Sequence, residues 1–447
     1  MDNKKYMPKY FSDAAHALED LSKLMLVDGY DMVLDMDNSH GSMLIDKISG
    51  KMYHDFFSFF AAMPISINHP KLNTREFIEY IGKASLNKPS NSDIYTEYMA
   101  TFVKTFQKIA VPDYFNHLFL ISGGALAVEN ALKTAFDWKV RKNIQKGIKG
   151  EKGQQIIHFK EAFHGRTGYT MSLTNTDYNK VMYFAKFKWP RIINPKLHFP
   201  LTDESLENTI KLEKQAIDEI KSAFRDNPND IAAIIIEPIQ CEGGDNHFRN
   251  EFLQKLKVLS EENEALLIFD EVQVGVGITG TMWAHQQMDV VPDIMAFGKK
   301  TQVCGILAGP KIDEVEDNVF AKSSRLNSTW GGNLVDMVRS TRNFEIIEED
   351  NLIENAASQG KHLAQKIEYL AAEYPNLVSN PRGRGLLRAF SMPTPEIRNK
   401  FLKSAFNSGL MILGCGSDSV RFRPTLDVNS EDIDKGIEII ENVLKKM

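Results

Sequence analysis

With 447 residues, 43 % of them apolar and 25 % charged, the chain has a globular composition and more length than one hydrophobic core organises, so two domains are expected. A formal net charge of −6 argues against a general nucleic-acid binder, the N-terminal Met1-Asp-Asn-Lys-Lys5 leads into no apolar h-region, and no run reaches transmembrane length. Three cysteines in 447 residues, Cys241, Cys304 and Cys415, fit a reduced compartment with no disulfide framework, and they stand singly, without metal-ligand spacing, which predicts a soluble, cytoplasmic protein.

In chain order, residues 1–74 mix strand-like and helix-like pieces, and residues 46–53 read as a hairpin with Ser49-Gly50 in its turn. From about 75 to 325, short apolar runs alternate with helical patterns: His117–Ile121, Gln155–Phe159, Ile231–Ile236, residues 266–269 and Ile294–Phe297. Apolarity without alternation marks a parallel strand covered on both faces, and the exchange of strand and helix implies a large α/β domain with a mostly parallel sheet. The basic stretch 139–152 reads as a solvated helix end and loop rather than an anion patch. Beyond Asn333 the texture changes to one long helical stretch (343–374), strand candidates at 386–390, 410–413 and 420–423, and a closing amphipathic helix from about Ser430 to Lys445, with Ser430-Glu-Asp-Ile as its capped start. Residues 326–447 therefore make a smaller α+β domain, with 1–74 packing beside it.

The chemistry gathers where apolar runs stop, as it does beyond the carboxyl ends of strands in an α/β sheet. One run ends in Asp270-Glu-Val-Gln273 and the next in Gly298-Lys299-Lys300. An acid and an amine delivered together suit an aldehyde cofactor with a basic ring nitrogen, such as pyridoxal phosphate. Ser122-Gly-Gly-Ala125 follows a strand and opens a helix, as either a plain joint or a phosphate cup, and the Asp/Lys pair favours the cup. Phe163-His-Gly-Arg166 offers a ring to stack and a guanidinium to fork onto a carboxylate. Glu237-Pro-Ile-Gln-Cys-Glu242 sets two acids past another strand, and Arg421 and Arg423 share one strand face, as carboxylate anchors or a solvent-facing stripe. No Gly-x-Ser-x-Gly elbow and no His-x-x-x-His pair is present, and no metal is expected.

Together, and in this order, these motifs resemble the fold-type I, class III (omega) aminotransferases over nearly the whole chain. Gly123-Gly-Ala-Leu-Ala-Val-Glu-Asn-Ala-Leu-Lys133 and Phe297-Gly-Lys-Lys-Thr-Gln-Val-Cys-Gly305 are most like the lysine 6-aminotransferase branch, ahead of the branches acting on ornithine or 4-aminobutyrate. The resemblance implies transfer of the ε-amino group of L-lysine to 2-oxoglutarate, giving 2-aminoadipate 6-semialdehyde and glutamate, by a homodimer whose sites lie at the subunit interface. It implies that Lys300 binds the cofactor covalently, that Lys299 points elsewhere, that Asp270 pairs with the pyridine nitrogen, and that Gln273 lies near the phenolic oxygen. Phe163 would stack on the ring, and Gly124 and Ala125 would hold the phosphate with Thr329 of the partner subunit. Arg421 would take the α-carboxylate, Glu242 would neutralise Arg421 when the amine donor is bound, and Arg166 would take the distal carboxylate. The sequence departs from the family pattern at Cys241, where many relatives have Gly, and at Ala61-Ala-Met-Pro64 near the substrate channel.

Overall fold

The computed structural model describes residues 6–447. Its core is a seven-stranded sheet in the order His117–Ile121, Cys304–Ala308, Ile294–Phe297, Leu266–Asp270, Ile231–Ile236, Gln155–Phe159 and Arg191–Ile192. All neighbours pair in parallel except Cys304–Ala308, which runs antiparallel to both of its neighbours. Six strands therefore end at the same edge. Every residue of Ile231–Ile236, Leu266–Asp270 and Ile294–Phe297 is buried, as helices on both faces of a parallel sheet require. The Cys304–Ala308 strand was not anticipated. It is a five-residue run holding a glycine and lies only six residues past the preceding strand, so by sequence it merges with the lysine turn.

The helix Gly124–Gln145 lies on one face, burying Ala127, Val128, Ala131, Leu132, Ala135 and Trp138. Four of these six are alanine or valine, which brings its axis close to the strands and fixes where its N-terminus opens. The basic stretch 139–152 is largely ion-paired: Lys139 and Lys146 share Glu264, Lys142 meets Glu314, and Arg141 meets Asp137.

The C-terminal part is built on a four-stranded antiparallel sheet, Ser379–Arg384, Leu387–Ser391, Ser419–Phe422 and Leu413–Cys415. The expected helix 343–374 is two helices, Leu334–Glu349 and Leu352–Glu373, because Asn351 adopts a left-handed conformation (φ 50°) between them. The run 410–413 is also split. Leu410–Met411 joins a sheet with Met43–Ile45 and Met52–Asp55, while Leu413–Cys415 enters the four-stranded sheet. The hairpin around Ser49-Gly50 is present, with its first strand, Met43–Ile45, just before residues 46–53 and its second, Met52–Asp55, starting within them. The closing helix Ser430–Leu444 is capped by Asn429, whose side chain accepts from Asp432 N, rather than by Ser430. Arg423 N donates to Phe56 O and Ser66 binds Asp427, which ties the N-terminal segment to the C-terminal strands.

One buried ion pair fastens the C-terminal sheet to the large one. Arg423, at the end of Ser419–Phe422, and Asp245, beyond Ile231–Ile236, meet through two contacts with both side chains fully buried. Removing one partner leaves the other charge without compensation. Asp245→Ala is therefore expected to destabilise the fold by about 3–5 kcal/mol, read as a lower denaturant midpoint at unchanged slope.

Candidate active site

The motifs meet at the shared edge of the sheet. Gly123 (φ +104°) turns the chain from His117–Ile121 into its helix, and a side chain on Gly124 would stand 2.8 Å from Val272 Cγ1. Gly165 (φ +115°) lies so close to Ala125 that a Cβ there would come within 2.4 Å of the alanine's own Cβ. Phe163-His-Gly-Arg166, Gly124-Ala125 and Asp270-Glu-Val-Gln273 thus form one contiguous wall, at spacings only glycine allows.

Asp270 is buried; its Oδ1 accepts from Val272 N at 3.0 Å and its Oδ2 lies 2.8 Å from His164 Nδ1. With the proton on Nδ1, His164 donates to the carboxylate, and its buried Nε2 has no partner. Glu237 stands behind, accepting from Phe163 N at 2.8 Å and Cys241 N at 3.2 Å. Burial, then the charge of Asp270, pushes its carboxyl well above the usual range.

Arg421 and Arg423, 1 % and 0 % exposed, are far from forming a solvent-facing stripe. Each donates to Gln273 Oε1 at 3.3 Å, and Arg421 Nη2 meets Glu242 Oε2 at 2.9 Å. Arg421 Nε is buried and unpartnered, a free donor. Burial raises the Glu242 carboxyl, but the charges of Arg421 and Lys180 outweigh it and hold it below its ordinary value.

The two lysines correct one expectation. Lys300 is 2 % exposed, and its amine donates to Gln273 O at 2.6 Å and Ala61 O at 3.4 Å. Lys299 does not point elsewhere. Its amine lies 2.9 Å from Phe60 O and 5.9 Å from the centre of the Phe60 ring, a ring that Arg421 also covers at 6.0 Å. Its backbone is left-handed (φ +54°), a strain that clusters at functional sites. Opposite it, Ser58 to Ala61 all have positive φ, and the carbonyls of Phe60, Ala61 and Ala62 accept in turn from Lys299, Lys300 and Gln302. Burial, then Arg421, lowers Lys299 to about 8; burial, then Lys299 itself, takes Lys300 well below its ordinary value.

Arg166 and Thr329 are not drawn in. Arg166 is exposed and makes no ion pair among the described residues, and Thr329 is exposed on a loop held by Asn91 and Ser92 through Trp330 O and Ser328 O. Sequence reasoning left His164, Lys180 and Lys299 without roles here. His164 stood inside a motif already singled out, and Lys299 stood next to the chosen lysine; Lys180, in a polar loop, carried no signal.

The residues fit pyridoxal phosphate. A helix N-terminus opens through a side-chain-free turn where a phosphate needs N–H donors. A buried carboxylate is held ready for a ring nitrogen, Phe163 and Val272 give apolar walls, and two amines are biased toward the neutral form that attacks an aldehyde.

Residues 25–444 match the family model described as Aminotransferase class-III. The chain is 51 % identical over 427 residues to L-lysine-epsilon aminotransferase of Mycobacterium tuberculosis, covering 95 % of this chain and 94 % of that protein. Identity to the L-lysine-epsilon aminotransferase of Amycolatopsis lactamdurans is 47 %, covering 96 % and 95 %. The solved structure of lysine aminotransferase from M. tuberculosis superposes with a TM-score of 0.95 at 50 % identity, over 97 % of this chain and 100 % of that one.

An amine that loses its proton near pH 8 gains reactivity as pH rises through that value. Borohydride-trapped modification of Lys299 by pyridoxal phosphate, followed by peptide mapping, is therefore expected to speed up with a midpoint at about pH 8 and to level off above it.

Proposed function

The chain belongs to the class III aminotransferases, which are pyridoxal phosphate-dependent transaminases, and from that premise we propose that it is an L-lysine 6-aminotransferase using 2-oxoglutarate as acceptor. The observation that carries this is Arg421 already neutralised by Glu242 inside the site. The ε-carbon of lysine has no adjacent carboxylate, so a donor presenting it needs the arginine masked; a 2-oxo acid needs the same arginine bare. A gate of this kind serves both ligands in one cavity, and the spare Nε of Arg421 supports a forked grip on the acceptor.

When bound, the cofactor supplies the electron sink that makes the proton on the amine-bearing carbon removable. Gly124 and Ala125 would hold its phosphate with backbone N–H groups, joined by Thr329 of the partner subunit. Asp270 would keep a proton on the ring nitrogen, with His164 fixing the carboxylate's orientation through its 2.8 Å contact. Phe163 would lie on the ring face, and Gln273, between two arginines, near the phenolic oxygen. Arg166 would take the distal carboxylate.

For the amine that binds the cofactor and carries the proton from the substrate carbon, the observations favour Lys299 over Lys300. Lys299 shares Phe60 with Arg421, carries the strained backbone and deprotonates near working pH. Lys300 is enclosed and spent on two carbonyls. Lys299 Nζ would be the group that takes the proton from the ε-carbon of lysine and moves it within the site.

The exposure of Thr329 and Arg166 supports a homodimer that completes each site. Three unpaired, buried cysteines support a cytoplasmic setting, and among the described residues no helix is long and apolar enough to cross a membrane. The sheet shared by Met43–Ile45, Met52–Asp55 and Leu410–Met411 supports a division into a segment 1–74 that packs with a small domain 326–447, around a large domain 75–325.

Two measurements test the reading. In a panel of amine donors with 2-oxoglutarate, L-lysine should give the highest kcat/KM, with an aldehyde that cyclises to a piperideine; preference for ornithine or 4-aminobutyrate would overturn it. Lys299→Ala should abolish the cofactor's visible band and turnover, while Lys300→Ala should retain the band; the reverse would return the role to Lys300.

A further inference from the structure

Glu242 has two cationic partners. Its Oε2 meets Arg421 Nη2 at 2.9 Å, and its Oε1 meets Lys180 Nζ at 2.7 Å. Lys180 arrives from the turn Tyr178–Lys180, whose entry is fixed by Asp177 accepting from Asn179 N. Its ammonium also stands 5.6 Å from the centre of the Phe163 ring. The side chains grade from dry to wet: Arg421 is 1 % exposed, Glu242 24 % and Lys180 30 %. On the wet side a cavity of about 490 Å³ is bounded by Lys180, Glu242, Arg398 and residues 414–417. The two carboxylate oxygens are therefore divided between an inner cation and an outer one, with open space beside the outer one.

We propose that Lys180 is a specificity-determining residue, the holding partner that keeps Glu242 charge-compensated when the carboxylate of a 2-oxo acid displaces it from Arg421. The inference rests on the reading of Glu242 and Arg421 as a gate between two kinds of ligand. If Arg421 were the only partner of Glu242, each acceptor that binds would strand an anion in a largely enclosed site, and that loss would count against acceptor binding. With Lys180 in place, Glu242 pivots about its Oε1 contact into the cavity, and one ion pair survives the exchange. The donor mode needs no such help, because lysine leaves the Glu242–Arg421 pair intact. Lys180 thus acts on one half of the reaction cycle, and without it Glu242 relaxes onto Arg421 and closes the gate against acceptors.

The test uses the holoenzyme and glutarate, a five-carbon dicarboxylate with no carbonyl to react. Glutarate binding is followed by calorimetry, and the two half-reactions are followed separately by the cofactor's absorbance. Lys180→Met is expected to weaken glutarate binding about tenfold, as loss of one charged hydrogen bond does. It should slow the 2-oxoglutarate half-reaction to a similar degree and the lysine half-reaction by much less, and Lys180→Arg should recover most of the loss. In a Glu242→Gln background the Lys180→Met effect should vanish, since no anion then needs holding. Equal loss in both half-reactions, unchanged glutarate affinity, or a tenfold loss that persists in the Glu242→Gln background (a direct contact of Lys180 with ligand) would each overturn the proposal. A wild-type enzyme that turns over lysine alongside any of those results defeats this inference alone. A wild type without lysine turnover defeats the functional reading and this inference with it.

Discussion

Two arginines on one short strand, both sealed from solvent, set the terms for everything around them. Arg421 and Arg423 project from the same face of Ser419–Phe422 and its end, and the carboxylates that pair with them, Glu242 and Asp245, come from the loop beyond Ile231–Ile236. A guanidinium buried without a counter-charge is untenable, so the C-terminal sheet docks on the large one in a single register. Gln273 lies between the two arginines and accepts from both, which binds the acid-bearing loop after Leu266–Asp270 into the same cluster. The field of those cations also reaches the lysine turn. Arg421 follows burial as the largest influence lowering Lys299. The charges that hold the two parts together thus also help to keep an amine neutral enough to react.

The two arginines differ in how firmly they are held, and the difference divides their work. Arg423 is gripped at both terminal nitrogens by a fully buried Asp245, an arrangement with nothing left for a ligand. Arg421 has one carboxylate contact, one long contact to an amide and an idle Nε. Its partner Glu242 is itself shared with Lys180. One arginine is thus built into the frame, while its neighbour two residues away keeps bonds that can be exchanged.

Much of this was legible in the chain. Five strands of the large sheet are continuous apolar runs, and the motifs that end them announce the edge at which the chemistry collects. Hidden features followed physical patterns that a one-dimensional pattern does not carry. Cys304–Ala308 is hidden because its run is short and merges with the turn before it, and the division of 410–413 is hidden because one apolar stretch serves two sheets. The helix break at Asn351 depends on a backbone sign that an Asn tolerates but does not require. Within the site, Asp270 and Gln273 stand in a spelled-out motif, whereas Lys180 reaches Glu242 across 62 positions from an unremarked loop. Lys299 and Lys300 are neighbours in sequence, and only the turn that carries them separates their amines, one toward Phe60 O and the other toward Ala61 O and Gln273 O.

The left-handed run at residues 58–61 has a consequence for how the protein comes into being. Its carbonyls are held by donors from residues 299–302, some 239 positions later in the chain. Contacts so distant in sequence form late, after the closure of a long loop has been offset by the large sheet's own burial. On a ribosome the N-terminal wall of the cavity must wait until that distant turn has emerged. The strand Cys304–Ala308, which joins His117–Ile121 to the rest of the large sheet, follows the same turn, so the cavity wall and the last strand of the sheet fall into place together.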